Sequence, residues 1–328
     1  MTPTLSIIIP CYNEEKTIRT LLDAILAQTY PREKMEVVIA DGLSDDRTRE
    51  VIAAFQQEHP DLDLRLVDNP KRIIPAGLNL AIGASRGEIL LRLDAHSAPQ
   101  ADYVVRCVQA LEERRGDNVG GVWDIRPSAA GCVAASIAAA AAHPLGVGDA
   151  LYRHATQAQI VDTVPFGAFR RDLLERIGLF DETLLANEDY EFNTRIRQSG
   201  GKIWLDPAIR SVYFSRPTYR ALAKQYFNYG YWKWQMLRRY PETLRWRQAL
   251  PPLLVLTFLG FLLLGFFSPF FIFLFGLEFF FYFLILFLAA LQKKTLGLPF
   301  AIATMHISWG SGFLWGALSS LFKAKKDV

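Results

Sequence analysis

Three short polar clusters each follow an apolar run, and each holds side chains able to do chemistry. Pro10-Cys11-Tyr12-Asn13-Glu14 follows Leu5–Ile9, Asp41-Gly42-Leu43-Ser44-Asp45-Asp46 follows Met35–Ala40, and Asp94-Ala95-His96 follows Glu88–Leu93. An aromatic ring beside a carboxylate can hold a planar base by stacking and hydrogen bonding. Asp94 and His96 flank one residue, so an extended segment can turn both towards one cation. Oxygen and imidazole donors at that spacing suit Mn2+ or Mg2+. A diphosphate would need such a cation here, because neither Gly-x-x-x-x-Gly-Lys nor Gly-x-Gly-x-x-Gly follows any strand. A fourth cluster, Asn187-Glu188-Asp189-Tyr190-Glu191, stands at a helix start, where acids also complement the helix dipole. Strand-end Asp residues are commonly caps, Tyr12 alone reads as packing and Cys11 as core. The ordered set is what carries chemical meaning.

The elements that must position these clusters follow from periodicity. Leu5–Pro10, Met35–Ala40, Leu64–Val67 and Glu88–Leu93 read as buried strands, while Ile18, Leu21, Leu22 and Ile25 recur at helical spacing. A helix through Phe55 and another over Pro75–Ala84 complete a strand–helix alternation. That alternation implies right-handed crossovers and an α/β fold with a mainly parallel sheet between helices. Ligands of such sheets sit at the carboxyl ends of the strands, where the clusters lie. Gly131–Ala142, nearly all Ala, is a further helix. The His143–His154 stretch reads as a mobile loop with both histidines exposed, and Arg170 and Arg171 as surface charges on the following helix.

Charge is divided unevenly along the 328 residues. From Ala249 onward there are two acids (Glu278, Asp327) and five lysines (Lys293, Lys294, Lys323, Lys325, Lys326), and 16 of the 23 phenylalanines. The preceding body is neutral, which argues against nucleic acid as a partner. Cys11, Cys107 and Cys132 form no disulfide framework and suit a reducing compartment. No signal peptide is expected, so the body should stay in the cytosol. Ala249–Leu277 carries no charge, and two spans, about 249–267 and 270–291, fit a hairpin turning at Ser268-Pro269. Arg238, Arg239, Arg245 and Arg247 before it and Lys293 and Lys294 after it place both ends on the cytoplasmic side. A third apolar segment, 297–322, has Gly310-Ser311-Gly312 as a potential break, and its topology stays open. Glu278 should face protein, with His306 as the expected partner. Basic and aromatic residues over 216–248 mark an interfacial amphipathic segment between a body of 1–215 and a membrane region of 249–328.

Ser6–Glu15, Asp41-Gly42-Leu43-Ser44-Asp45, Leu93-Asp94-Ala95-His96 and Asn187-Glu188-Asp189, in that order, resemble family 2 glycosyltransferases of the GT-A fold over roughly residues 4–240. Asp-Ala-His in place of the commoner Asp-x-Asp, and Gln225–Trp232 before an apolar tail, resemble the succinoglycan-type exopolysaccharide glucosyltransferases. The resemblance implies a nucleotide-sugar-binding domain in which Pro10, Tyr12 and Glu14 border the uracil and ribose of a UDP-sugar. Asp41 would bond the uracil edge with Ser44 and Asp45 nearby, and Asn69, Lys71, Gly77 and Asn79 would line the donor. Asp94 would touch the ribose or the Mg2+ or Mn2+ ion, and His96 would replace the second Asp as metal ligand. Asp189 would take the proton of the acceptor hydroxyl, with Glu188 positioning the acceptor or supporting the metal shell.

The implied activity is transfer of a single hexose, with inversion, to a lipid-linked saccharide on a polyprenyl diphosphate. The expected setting is the cell inner membrane, with a multi-pass anchor and a cytoplasmic catalytic domain. Processive relatives carry Gln-x-x-Arg-Trp where this chain has Gln225 followed by Asn228-Tyr229, which points to addition of one sugar. Direct transfer to a polyprenyl phosphate, and a catalytically silent partner-binding membrane subunit, are the alternatives.

Overall fold

Runs rich in β-branched residues become the inner strands of the sheet, and the computed structural model describes residues 4–323. The strands are β1 (Leu5–Cys11), β2 (Met35–Asp41), β3 (Asp63–Asp68), β4 (Ile89–Arg92), β5 (Ser97–Pro99), β6 (Asn118–Pro127), β7 (Gln159–Val161), β8 (Ala168–Arg170) and β9 (Ile203–Ser215). The helices of the first half are α1 (Ile18–Leu26), α2 (Thr48–Glu58), α3 (Ile74–Ala84), α4 (Tyr103–Glu112), α5 (Cys132–Ala141) and α6 (Pro144–Val147). Then come α7 (Leu173–Ile177), α8 (Glu188–Gln198), α9 (Tyr219–Leu237), α10 (Leu250–Leu264), α11 (Pro269–Lys293) and α12 (Leu298–Lys323).

The order across the sheet is β3-β2-β1-β4-β8-β6-β9-β5, with β7 also on β9. β3, β2, β1 and β4 are parallel, in the register Leu5↔Met35 and Leu5↔Ile89. β8 then pairs antiparallel with both β4 and β6, and β5 and β7 run antiparallel to β9. The sheet is therefore mixed: strand–helix alternation holds only as far as β4. The α1 residues read as an apolar stripe, Ile18, Leu21, Leu22 and Ile25, are all buried. They join Ile7, Ile9, Val37, Ile39 and Leu91 in one core, while Ile8, Val38, Leu78 and Leu90 build a second core with Phe169 and Phe192. Two cores on two faces follow from the period of two along each strand.

The chain divides into two compact units, one comprising the residues up to Asp124 with Ala150–Tyr213, the other Ile125–Asp149 with the chain from Phe214 onward. In the second unit α5, α9, α11 and α12 share a core that includes Ile137, Leu222, Tyr226, Leu286, Ile302 and Met305. α12 runs unbroken through Gly310-Ser311-Gly312, correcting the expectation of a break there. A Cβ at Gly312 would lie 2.0 Å from the Phe227 carbonyl oxygen, and one at Gly230 2.0 Å from that of Trp309. These glycines let α9 and α12 approach backbone to backbone.

Ser268 caps α11, accepting from the Phe270 amide at 3.4 Å, with Pro269 at the first helical position. Trp246–Leu264 and Pro269–Lys293 are, among the described residues, the helices long and apolar enough to cross a membrane, with mean hydropathy 1.6 and 2.5. Their leucines and phenylalanines are largely exposed, and Phe266 and Phe267, in the turn between them, are more so. Glu278 accepts from Thr257 Oγ1 at 2.7 Å. His306, its expected partner, bonds instead with Tyr282 Oη at 3.0 Å and with the Leu145 carbonyl oxygen at 2.8 Å. Lys325, Lys326 and Asp327 lie outside the described residues.

Candidate active site

The loops after β1 and β2 are stitched together. The Asn13 amide donates to Ser44 Oγ at 2.9 Å, Asn13 Nδ2 donates to Asp45 Oδ1 at 2.6 Å, and the Asp45 amide returns a bond to Asn13 Oδ1 at 3.0 Å. Asn13 reaches this geometry at φ 54°, a left-handed conformation that Asn tolerates. The Glu14 amide donates to Thr48 Oγ1 at 2.7 Å. Asp41 is fully buried beneath these loops: Oδ1 accepts from Ser44 Oγ at 2.5 Å, and Oδ2 from the Ser44 amide at 3.0 Å and Arg49 Nε at 2.5 Å. Tyr12 remains 41% exposed, with the Arg72 guanidinium 5.6 Å from its ring centroid.

Pro10, Asn69 and Gly77 lie close together. A Cβ on Gly77 would lie 3.0 Å from Asn69 Nδ2 and 3.4 Å from Pro10 Cβ, so a side chain there would fit only if Asn69 gave way by a few tenths of an ångström. Asn69 donates to the Ile73 carbonyl at 3.0 Å, and its buried Oδ1 has no hydrogen-bond partner. Lys71 and Asn79 turn elsewhere, to the segment before α8. Lys71 pairs with Glu182, and Asn79 Nδ2 donates to the Phe180 carbonyl at 2.9 Å and Glu182 Oε1 at 3.1 Å.

Arg92, the last residue of β4, draws the acidic clusters together. Its Nη2 donates to Asp94 Oδ1 at 3.1 Å and to Glu188 Oε1 at 2.8 Å, and its backbone amide to the Gly167 carbonyl at 2.9 Å. The side chain is 5% exposed. Burial works against its charge, yet Asp94, Glu188 and Asp189 outweigh that and hold its pKa above the usual value. Asn187, at φ 64°, starts α8 and sends Glu188 and Asp189 into the cluster. Asp189 Oδ1 accepts from the Tyr190 amide at 2.7 Å. Burial first, then the charge of Glu188, push the Asp189 carboxyl up to about 7 against the pull of Arg92. Glu191 points away, salt-bridged to Arg195 at 2.6 Å.

His96 Nδ1 lies 3.1 Å from Glu14 Oε1, which joins the Asp94-Ala95-His96 segment to the β1 loop. Its ring meets Tyr213 edge-on at 6.4 Å. Tyr213 stacks on Trp123 at 4.2 Å and 4°, and the Arg153 guanidinium sits 5.0 Å from the Trp123 ring and 5.8 Å from Tyr213. Burial raises the Tyr152 phenol against the pull of Arg153, and the charge of Asp189 adds to the rise. Among the described residues no three His, Cys, Asp or Glu side chains form a metal-binding group.

Sequence reasoning missed Arg92, Arg153, Trp123 and Tyr213. Arg92 carried a signal, a basic residue inside an otherwise apolar strand two places before Asp94. His143 and His154 are half-buried and not exposed as expected, and His143 accepts from the Leu145 amide at 3.1 Å to cap α6. Arg171 is no surface charge: it donates to Gly87 and Ile82 carbonyls and to Ser85 Oγ at 2.7–3.2 Å.

Comparison with known proteins adds three likenesses and one family match. The sequence profile described as glycosyl transferase family 2 matches residues 6–178. The dolichyl N-acetyl-alpha-D-glucosaminyl phosphate 3-beta-D-2,3-diacetamido-2,3-dideoxy-beta-D-glucuronosyltransferase of Methanococcus voltae is 29% identical over 239 residues, 72% of this chain and 74% of that protein. Succinoglycan biosynthesis protein ExoA of Rhizobium meliloti (strain 1021) is 31% identical over 226 residues, 68% of this chain and 67% of its own length. The solved structure of the mannosyltransferase PcManGT from Pyrobaculum calidifontis, in complex with GDP-Man and Mn2+, matches with a TM-score of 0.57 at 27% identity. That match covers 75% of this chain and 66% of the other. The mixed sheet with its flanking helices is thus of the GT-A glycosyltransferase type.

Proposed function

Because this chain belongs to glycosyl transferase family 2, we propose that it transfers one hexose, glucose foremost, from a UDP-sugar to a saccharide carried on a polyprenyl diphosphate. The observation that carries this reading is Arg92, whose guanidinium joins the strand-end Asp94 to Glu188 beside Asp189. Carboxylates far apart in sequence, Asp94 and Glu188, thereby share one guanidinium.

Three carboxylates around one guanidinium leave an excess of negative charge, which a divalent cation would offset. The donor set fits such an ion: Asp94 supplies carboxylate oxygen and His96 imidazole nitrogen, and Mg2+-like ions are commonly completed by substrate phosphates rather than by a full protein cage. When bound, the cation neutralises charge on the departing diphosphate. The chain's own residues do the rest. Tyr12, Pro10, Asn69 and Gly77 would receive the base, with Asp41, Ser44 and Asp45 fixing the loops round it. Lys71 and Asn79 would act at the donor through the segment they hold. Asp189 would accept the acceptor's hydroxyl proton as that oxygen bonds to the anomeric carbon. The bond from that carbon to the diphosphate breaks, and its electron pair leaves on the phosphate oxygen. A carboxyl near 7 suits a base working at neutral pH. Glu188, held by Arg92, would position the acceptor.

A lipid-borne acceptor agrees with the second unit, whose exposed hairpin α10–α11 we read as the membrane anchor, with the catalytic residues on the cytoplasmic side. Trp246, 72% exposed, stands at the start of the first span with the Arg247 guanidinium 5.8 Å from its ring. That is the composition of a membrane interface. The test is metal-dependent UDP release by the full chain with extracted lipid. Asp189→Asn should abolish transfer while UDP binding survives; normal transfer by that variant would refute the assignment. Product formed on polyprenyl phosphate carrying no saccharide would support direct lipid glycosylation instead.

A further inference from the structure

The Glu14–His96 contact bears on how the cation is held. A carboxylate offers only acceptors, so the proton in a Glu14–His96 hydrogen bond belongs to the imidazole and sits on Nδ1. Thr17 Oγ1 also donates to this side chain, at Oε2, so both Glu14 oxygens are used as acceptors. The backbone of Glu14 is fixed separately, through its amide bond to Thr48 Oγ1 at 2.7 Å. The Tyr213 ring also meets the imidazole edge-on, with ring centroids 6.4 Å apart. The side chain of Glu14 is 24% exposed and that of His96 35%, so the pair is partly shielded from water yet open to a ligand.

We propose that Glu14 is a positioning residue for the metal site: it binds Nδ1–H of His96 and thereby makes Nε2 the nitrogen that meets the divalent cation. This rests on the reading of Asp94 and His96 as its ligands. Histidines on metals commonly donate their second ring N–H to a carboxylate, which fixes the tautomer and makes the ligating nitrogen more basic, and loss of such a partner typically costs about 10–100-fold in affinity. Glu14 also returns to the site the negative charge that an imidazole, unlike a carboxylate, does not bring. In this role Glu14 acts through His96 and need not touch the nucleotide.

The experiment uses the full chain in detergent, with Mn2+ binding read by electron paramagnetic resonance in the presence of UDP. Glu14→Ala should weaken Mn2+ about 10–100-fold, and Glu14→Gln, whose carbonyl oxygen still accepts from Nδ1–H, should recover part of that loss. In a His96→Asp background, where the ligand has no tautomer to fix, Glu14→Ala should cost little more. Nitrogen-15 spectra of labelled histidine should show protonated Nδ1 in the native chain and a tautomer mixture in Glu14→Ala. UDP binding without metal should fall less than Mn2+ binding does. Equal losses of Mn2+ affinity in the native and His96→Asp backgrounds, or a loss of metal-free UDP binding that matches the loss of Mn2+, would overturn the proposal. If the native chain binds UDP but no Mn2+, the metal reading itself falls and this proposal with it.

Discussion

Replacing Asp189 by Asn should separate the catalytic cost of this carboxylate from its structural cost. The carboxyl is pushed up to about 7, first by burial and then by Glu188, with Arg92 opposing. Relative to an ordinary value near 4, that amounts to up to about 4 kcal/mol of disfavour for the ionised form. The sign follows from linkage. A carboxyl whose folded pKa is raised contributes stability that is complete below the unfolded value and is lost as pH rises through the folded one. The native chain should therefore become less stable between about pH 4 and pH 7, whereas the Asp189→Asn side chain stays neutral throughout. This variant should melt several degrees higher than the native chain at about pH 8, and the gain should shrink steadily as pH is lowered towards about 4. Transfer should fall by about 10²–10⁴, and kcat/KM of the native chain should rise with pH up to about 7. Differential scanning fluorimetry across pH and a UDP-release assay read both effects. A melting difference that is absent, or the same at every pH, would refute the argument that Asp189 carries a buried charge at neutrality.

Arg92→Met should destabilise the chain by about 3–5 kcal/mol, because it leaves Asp94 and Glu188 without their shared cation, and chemical denaturation would show it. Gly167→Ala should disturb the same region, since its Cβ would fall 2.1 Å from Asn118 Oδ1. Gly83→Ala in α3, where nothing lies within 4 Å, should instead be neutral or stabilise by up to about 1 kcal/mol, measured in the same melts. Gly312→Ala should loosen α12 from α9, and Gly276→Ala, with open space at its Cβ, should not; thermal unfolding in detergent distinguishes them.

The parallel half of the fold was legible because its signals are local. Ile18, Leu21, Leu22 and Ile25 announce α1, and the apolar runs before Cys11 and Asp41 announce β1 and β2. The short strands of the antiparallel half were not, because β5, β7 and β8 have three residues each, too few for a period to register. Strand-end position drew attention to Asp94 and His96, and the family resemblance to Glu188 and Asp189, but neither revealed what joins them. Arg92 becomes meaningful only when Glu188, 96 residues later, is placed against it. Local propensity misled at Gly310-Ser311-Gly312: two glycines either side of a serine suggest a broken helix, whereas the close passage of Phe227 and Pro251 requires them inside an intact one. Likewise the strand-end position of Asp41 was readable, but not that Ser44 and Arg49 already occupy its oxygens.

On the reading of α10–α11 as a membrane anchor, the Thr257–Glu278 bond bears on how the hairpin would enter a bilayer. An acidic residue at the centre of a lone spanning helix opposes insertion by roughly 2.5–3.5 kcal/mol, and Glu278 sits near the middle of α11. Its hydroxyl partner is on the preceding helix, so the compensation exists only when both segments are present together. On that reading the two helices would insert as a pair, and the short Ser268-Pro269 turn keeps them adjacent in the chain.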